Sequence, residues 1–210
     1  MSRRLNIHNR TYATEAFADD DGRLRLVGRL TDVKPIGLGP DDGEPLVVHD
    51  MSLTLVIELP SFEIIDVDYE MHTRPYDECT AILPDYRALL GLSIARGFTH
   101  EVRRRFGGPL GCSHLTALLT AMAPAAVQAS WGLLALHEPL AALAGGPAET
   151  DDAERERRVR MNTNTCHVWH EGGEHLRAVL AGDGDARPGW MRERLVKLGV
   201  APGESAQPDT

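Results

Sequence analysis

Cys112 and His114 stand two apart in "FGGPLGCSHLTALLTAM", residues 106–122, where a glycine-rich turn gives way to helical spacing. The free amides and dipole of a first helical turn favour the thiolate of a cysteine placed there, which improves it as a metal ligand or a nucleophile. His114, in that first turn, can present a ring nitrogen to the same point, either as a ligand or as the base for a Cys112 nucleophile. Cys79, in "RPYDECTAILPDY", holds the same kind of position between a strand end and a helix start. Zinc or iron needs about four such donors, commonly thiolate and imidazole. His49 and Asp50, at the start of a long alternating strand, are candidates for the remainder. The same residue types have plainer uses: a small buried thiol, a strand-end histidine, a turn aspartate. "TCHVWH" gathers Cys166, His167 and His170, and reads best as a strand with one buried cysteine, with a second cluster or a flap over the first as alternatives.

The elements that must position these donors follow from hydrophobic period. "DDDG" at residues 19–22 supplies turn residues between "RTYATEAFA" and "RLRLVGRLTDV", where Leu24 and Leu26 begin a period-two alternation. A second hairpin is predicted from "VVHDMSLTLVIEL", with Met51, Leu53, Leu55, Ile57 and Leu59 on one face, and "FEIIDVDYEMH", with Ile65, Val67 and Tyr69 repeating the pattern. Beyond Tyr76 the period becomes helical. Pro84 opens a helix with Tyr86, Leu89, Leu90 and Ile94 on one face and Gly97 at its end, and Thr99 caps a shorter helix carrying Arg103 to Arg105. Leu115, Leu118, Leu119 and Met122 then mark a longer helix that Pro124 kinks or divides. Two short helical patterns follow, around Leu176 to Leu180 and Trp190 to Leu198. The expected plan is α+β: an antiparallel sheet of about four strands, then helices packed on it. Its parts are a core over residues 1–144, a helical appendage over 145–200 and a disordered tail over 201–210.

Composition narrows the function. A net charge of −9 repels phosphate backbones, and the arginine triplet is the only local exception, so nucleic acid is not an expected partner. No run approaches the length of about 20 apolar residues that spans a bilayer, and "MSRRLNIHNR" lacks the apolar core of a signal peptide. Three cysteines without an export signal suit free or metal-bound thiols in a reducing cytoplasm. The phosphate-binding, dinucleotide-binding, serine-hydrolase and zinc-protease motifs are all missing.

Residues 50 to about 130 resemble the second half of the NifU-type iron-sulfur scaffold domain, through "HDMSLTLVIELPSFEIIDVDYE", "ECTAILPDYRALLGLSIARGFTHEV" and "LGCSHLTALLTAM". The resemblance implies a scaffold-like core with Asp50, Cys79 and Cys112 at metal-binding positions. Where that family has a further cysteine before its aspartate, this chain has Val48 and His49, so only His49 can substitute as a donor. The whole chain also resembles an uncharacterised bacterial family with a glycine-cysteine-x-histidine-leucine signature. The expectation is a cytosolic zinc- or iron-binding protein, exchanging metal with a donor or acceptor protein and free to form oligomers. Its alternative is a catabolic enzyme acting on a small-molecule substrate, metal-dependent or using Cys112 and His114 as nucleophile and base.

Overall fold

The computed structural model describes residues 4–136, 156, 159–181 and 188–200. The tail expected over 201–210, and most of residues 145–160, which read as a charged loop or solvated helix, lie outside these residues. Two compact units divide the chain, Met1–Leu134 and Ala135–Thr210.

The first unit is α+β. Strands β1 (Asn9–Ala18), β2 (Leu24–Lys34), β3 (Leu46–Glu58) and β4 (Glu63–Thr73) form one antiparallel sheet in sequence order. Successive residues of a strand face opposite sides of a sheet. On β2 the buried series is therefore Leu24, Leu26, Gly28, Leu30 and Asp32, and on β3 it is Met51, Leu53, Leu55 and Ile57. Both hairpins form as the alternation predicts, but β4 departs from it in detail. Val56 pairs with Asp66 and Ile57 with Ile64, so Ile65 is an extra residue that has no partner on β3. A bulge of this kind inverts the alternation beyond it. Ile64 is consequently buried and Ile65 exposed, while Val67 and Met71 return to the core.

After the sheet the expected helix from Pro84 to Gly97 does not form. Asp77–Leu89 is instead a 3-10 stretch that buries Tyr86 and Leu89. The chain then runs along the outer edge of β4: Ile64 donates its amide to Leu92 and accepts one from Gly91, and Ile94 donates to Phe62. Pairing with that edge satisfies backbone groups that a helix would have satisfied internally, and it leaves Leu90 exposed. Helix α1 (Phe98–Phe106) starts at Gly97 in a left-handed conformation, and its start has no side-chain cap, so Thr99 does not serve as one. Helix α2 (Ser113–Ala135) runs through Pro124 as one helix and buries Leu115, Leu118, Leu119, Met122 and Ala126. Pro124 lies on its exposed side.

In the second unit, helices α3 (Glu174–Leu180) and α4 (Gly189–Lys197) match the two short patterns. The segment around Cys166 is a turn, not a strand, and Cys166 is exposed rather than buried. Asn164, at positive φ, donates its amide to the Trp169 carbonyl, and its side chain accepts the amide of Glu171, which closes the loop locally.

Candidate metal centre

Asp32 is the one carboxylate in a row of leucines on the inner face of β2, and it is fully buried. Burying a charge is costly unless it is paired and hydrogen-bonded. Asp32 meets that demand with four donor atoms from three side chains. Arg10 on β1, directly across the ladder, grips both oxygens, Nε to Oδ1 and Nη2 to Oδ2, each at 2.6 Å. His8 reaches Oδ1 at 3.2 Å, and His49 on β3 reaches Oδ2 through Nδ1 at 2.9 Å. The Arg10 guanidinium, assisted by the two imidazoles, holds the carboxyl at about 2 against the cost of burial.

The sheet's parity brings these groups to one face. His8, Arg10, Asp32 and His49 are the polar continuations of strand rows whose inner positions are otherwise mostly apolar. Asp32 opposes His49, but Val33 opposes Val47, so Val48 is an extra residue beside His49. The bulge kinks β3 at the point where its side chain joins the site. Asp50, the next residue, falls on the opposite face, where both its oxygens accept bonds from Arg29.

A fifth side chain arrives on α2. A Cβ on Gly28 would overlap the sulfur of Met122, so the helix lies directly on the strand there. From Met122 back to His114 is about 12 Å of helix, and from Gly28 to Asp32 is about 13 Å of strand. The two lengths match, and His114 Nε2 lies 3.7 Å from Asp32 Oδ2. Its ring is also 3.8 Å, centroid to centroid, from that of His49. Burial, with His49 and Arg10 nearby, favours the neutral imidazole of His114 more than Asp32 favours its cation.

The turn before α2 is built for close approach. A Cβ on Gly111 would stand 2.5 Å from the carbonyl oxygen of Phe106. Cys112 then accepts the amide of Thr116 and so begins the helix. Its sulfur lies 3.8 Å from His114 Nδ1. The hydroxyl of Tyr86 accepts the Cys112 amide at 2.9 Å and donates to the Cys112 carbonyl at 3.2 Å.

Among the described residues, the histidine, cysteine and acidic side chains whose ligand atoms gather closely enough to share an ion are Asp32, His49 and His114, all within 4.8 Å of one another. His49 and His114 belong to the set expected from sequence. Asp32 does not, although continuing the period from Leu24 and Leu26 places it on the inner face. Cys112 adjoins the group through His114, whereas Cys79, half-buried early in the 3-10 stretch, and Asp50 are outside it. In the second unit the His167 and His170 rings stack at 5.9 Å, with His170 Nδ1 donating to the His167 carbonyl. Arg104 and Arg105 both bind Glu101 within α1, and Arg105 also donates to the Ala88 carbonyl.

A family model described as "Protein of unknown function (DUF2889)" matches residues 8–128, which include every residue of the site and all four strands. No curated protein and no solved structure matches the chain.

Proposed function

For a chain that belongs to the DUF2889 family, we propose a metal-binding function in which Asp32, His49 and His114 hold one divalent ion, zinc or iron. The carrying observation is the spacing of these donors. Ligands about 2.1 Å from a tetrahedral zinc stand about 3.4 Å apart, and Asp32 Oδ2 lies 2.9 Å from His49 Nδ1 and 3.7 Å from His114 Nε2. Two imidazoles and one carboxylate suit zinc, or iron(II) with open positions. Arg10 and His8 then support the carboxylate through hydrogen bonds to its two oxygens, and Cys112 accepts from Nδ1 of His114 while Nε2 faces the ion, the usual arrangement around a ligating histidine.

The three donors include no sulfur, which favours a single ion over a cluster and sets this reading apart from an iron-sulfur scaffold. Asp50 and Cys79 take no part in it. Three unpaired thiols suit a reducing compartment and support a cytoplasmic location. No helix among the described residues is long and apolar enough to cross a membrane.

Elemental analysis of protein purified without an affinity-tag polyhistidine is expected to find close to one zinc or iron per chain, lost on Asp32→Asn or His49→Ala. Less than a few tenths of a metal per chain, with a melting temperature indifferent to chelator and to added zinc, would remove the proposal.

The 3.8 Å approach of Cys112 sulfur to His114 Nδ1 favours a second reading, a small-molecule enzyme with Cys112 as nucleophile and His114 as base. The neutral imidazole that burial favours is the form able to accept the thiol proton. Alkylation of Cys112 in metal-free protein would abolish turnover on this reading and leave metal uptake largely intact on the first.

A further inference from the structure

Tyr86 is fully buried, and its ring stacks on that of Phe106 at 4.5 Å with planes 10° apart. A buried phenol needs a partner for its hydroxyl, and this one bonds both the amide and the carbonyl of Cys112, with the Thr116 side chain beside it in the first turn of α2. Cys112 is where α2 begins, two residues before His114. The amide at a helix start has no partner inside the helix, and here Tyr86 supplies it. With Gly111 pressed against Phe106 on one side, the backbone entering α2 is held from two directions.

We infer that Tyr86 is the positioning residue of the metal centre: its hydroxyl clamps the Cys112 backbone and thereby sets the His114 ring at the ion, with the Cys112 sulfur behind it at Nδ1. The inference rests on the metal reading above. Tyr86 is not one of the ion's three donors, and it acts through the start of α2.

Tyr86→Phe keeps the ring and its stack and removes only the hydroxyl. The dissociation constant for zinc, measured by chelator competition, is expected to rise tenfold or more while the circular dichroism spectrum is unchanged. In metal-free protein the alkylation rate of Cys112 is expected to change at least threefold, with Cys79 and Cys166 of the same molecules as references that do not move. Zinc affinity within twofold of wild type would overturn the inference, and so would weaker binding with unaltered Cys112 reactivity, which marks a general loss of stability. Should the variant fail to fold, hydrogen exchange in the wild type decides. The Cys112 amide is then expected to be protected like the interior of α2, and exchange as fast as an open amide would overturn the clamp. Wild-type protein that takes up no zinc or iron would sink the metal reading separately, leaving the clamp to be judged by exchange and alkylation.

Discussion

At the scale of single residues, Asp32 organises the centre because its charge is buried and must be answered. Its carboxyl is ordinarily near 3.8 when the chain is unfolded and about 2 in the folded protein. A depressed value contributes stability that is fully present above about pH 4 and is lost as the pH falls toward 2. In chelated protein that share is on the order of 2 kcal/mol, and Asp32→Asn is expected to flatten the stability profile across that window, as read by urea unfolding. Arg10 carries the other half of the balance. Removing one partner of a buried pair costs about 3 kcal/mol or more, because the remaining charge is uncompensated. Arg10→Gln is therefore expected to destabilise metal-free protein by about that amount. Saturating zinc should return more stability to this variant than to wild type, since the ion supplies the missing positive charge. Equal stabilisation of the two proteins would show that zinc binds elsewhere. Zinc affinity is also expected to fall in acid, where protons compete with the ion for its ligands.

At the scale of elements, the centre depends on the register of α2 on β2. Gly28 contributes to it, because a Cβ there would overlap the Met122 side chain that packs on the strand. Gly28→Val is expected to cost about 1–3 kcal/mol, as overfilled cores do, and to weaken zinc binding by lifting His114 away from Asp32. Adding Met122→Ala to Gly28→Val restores room, and calorimetric titration should show the affinity recovering. No recovery would mean that the register is fixed elsewhere along the helix. The bulge at Val48 and the glycine turn into Cys112 work at the same scale. Each adjusts the end of an element, where a small change of direction moves a side chain onto or off the ion.

At the scale of the whole molecule, the family match ends at residue 128, inside α2, and every donor lies in the unit Met1–Leu134. A fragment of residues 1–136 is accordingly expected to fold and to bind zinc with an affinity within about threefold of the full chain. Titration of the two side by side checks this, and a fragment that folds but binds far more weakly would assign part of the centre to the second unit.

Sequence alone determined the antiparallel hairpins, the long helix after the glycine turn and the chemical promise of His49 and His114. Those follow from period, turn residues and donor type, which are local. Burial of Asp32 was legible in principle, since it stands four residues beyond Gly28 in a strict alternation. Its partnership with Arg10 and His8 was not, because it depends on which strand lies beside β2 and in what register. Ile65 and the 3-10 stretch after Tyr76 escaped for the same reason: a bulge and an edge pairing are answers to a neighbouring strand. Only the folded chain could choose Asp32 over Asp50, because a side chain's face is fixed by parity but its company is fixed by packing. Asp50 met Arg29 on the outer face, and Asp32 met three histidines and an arginine on the inner one.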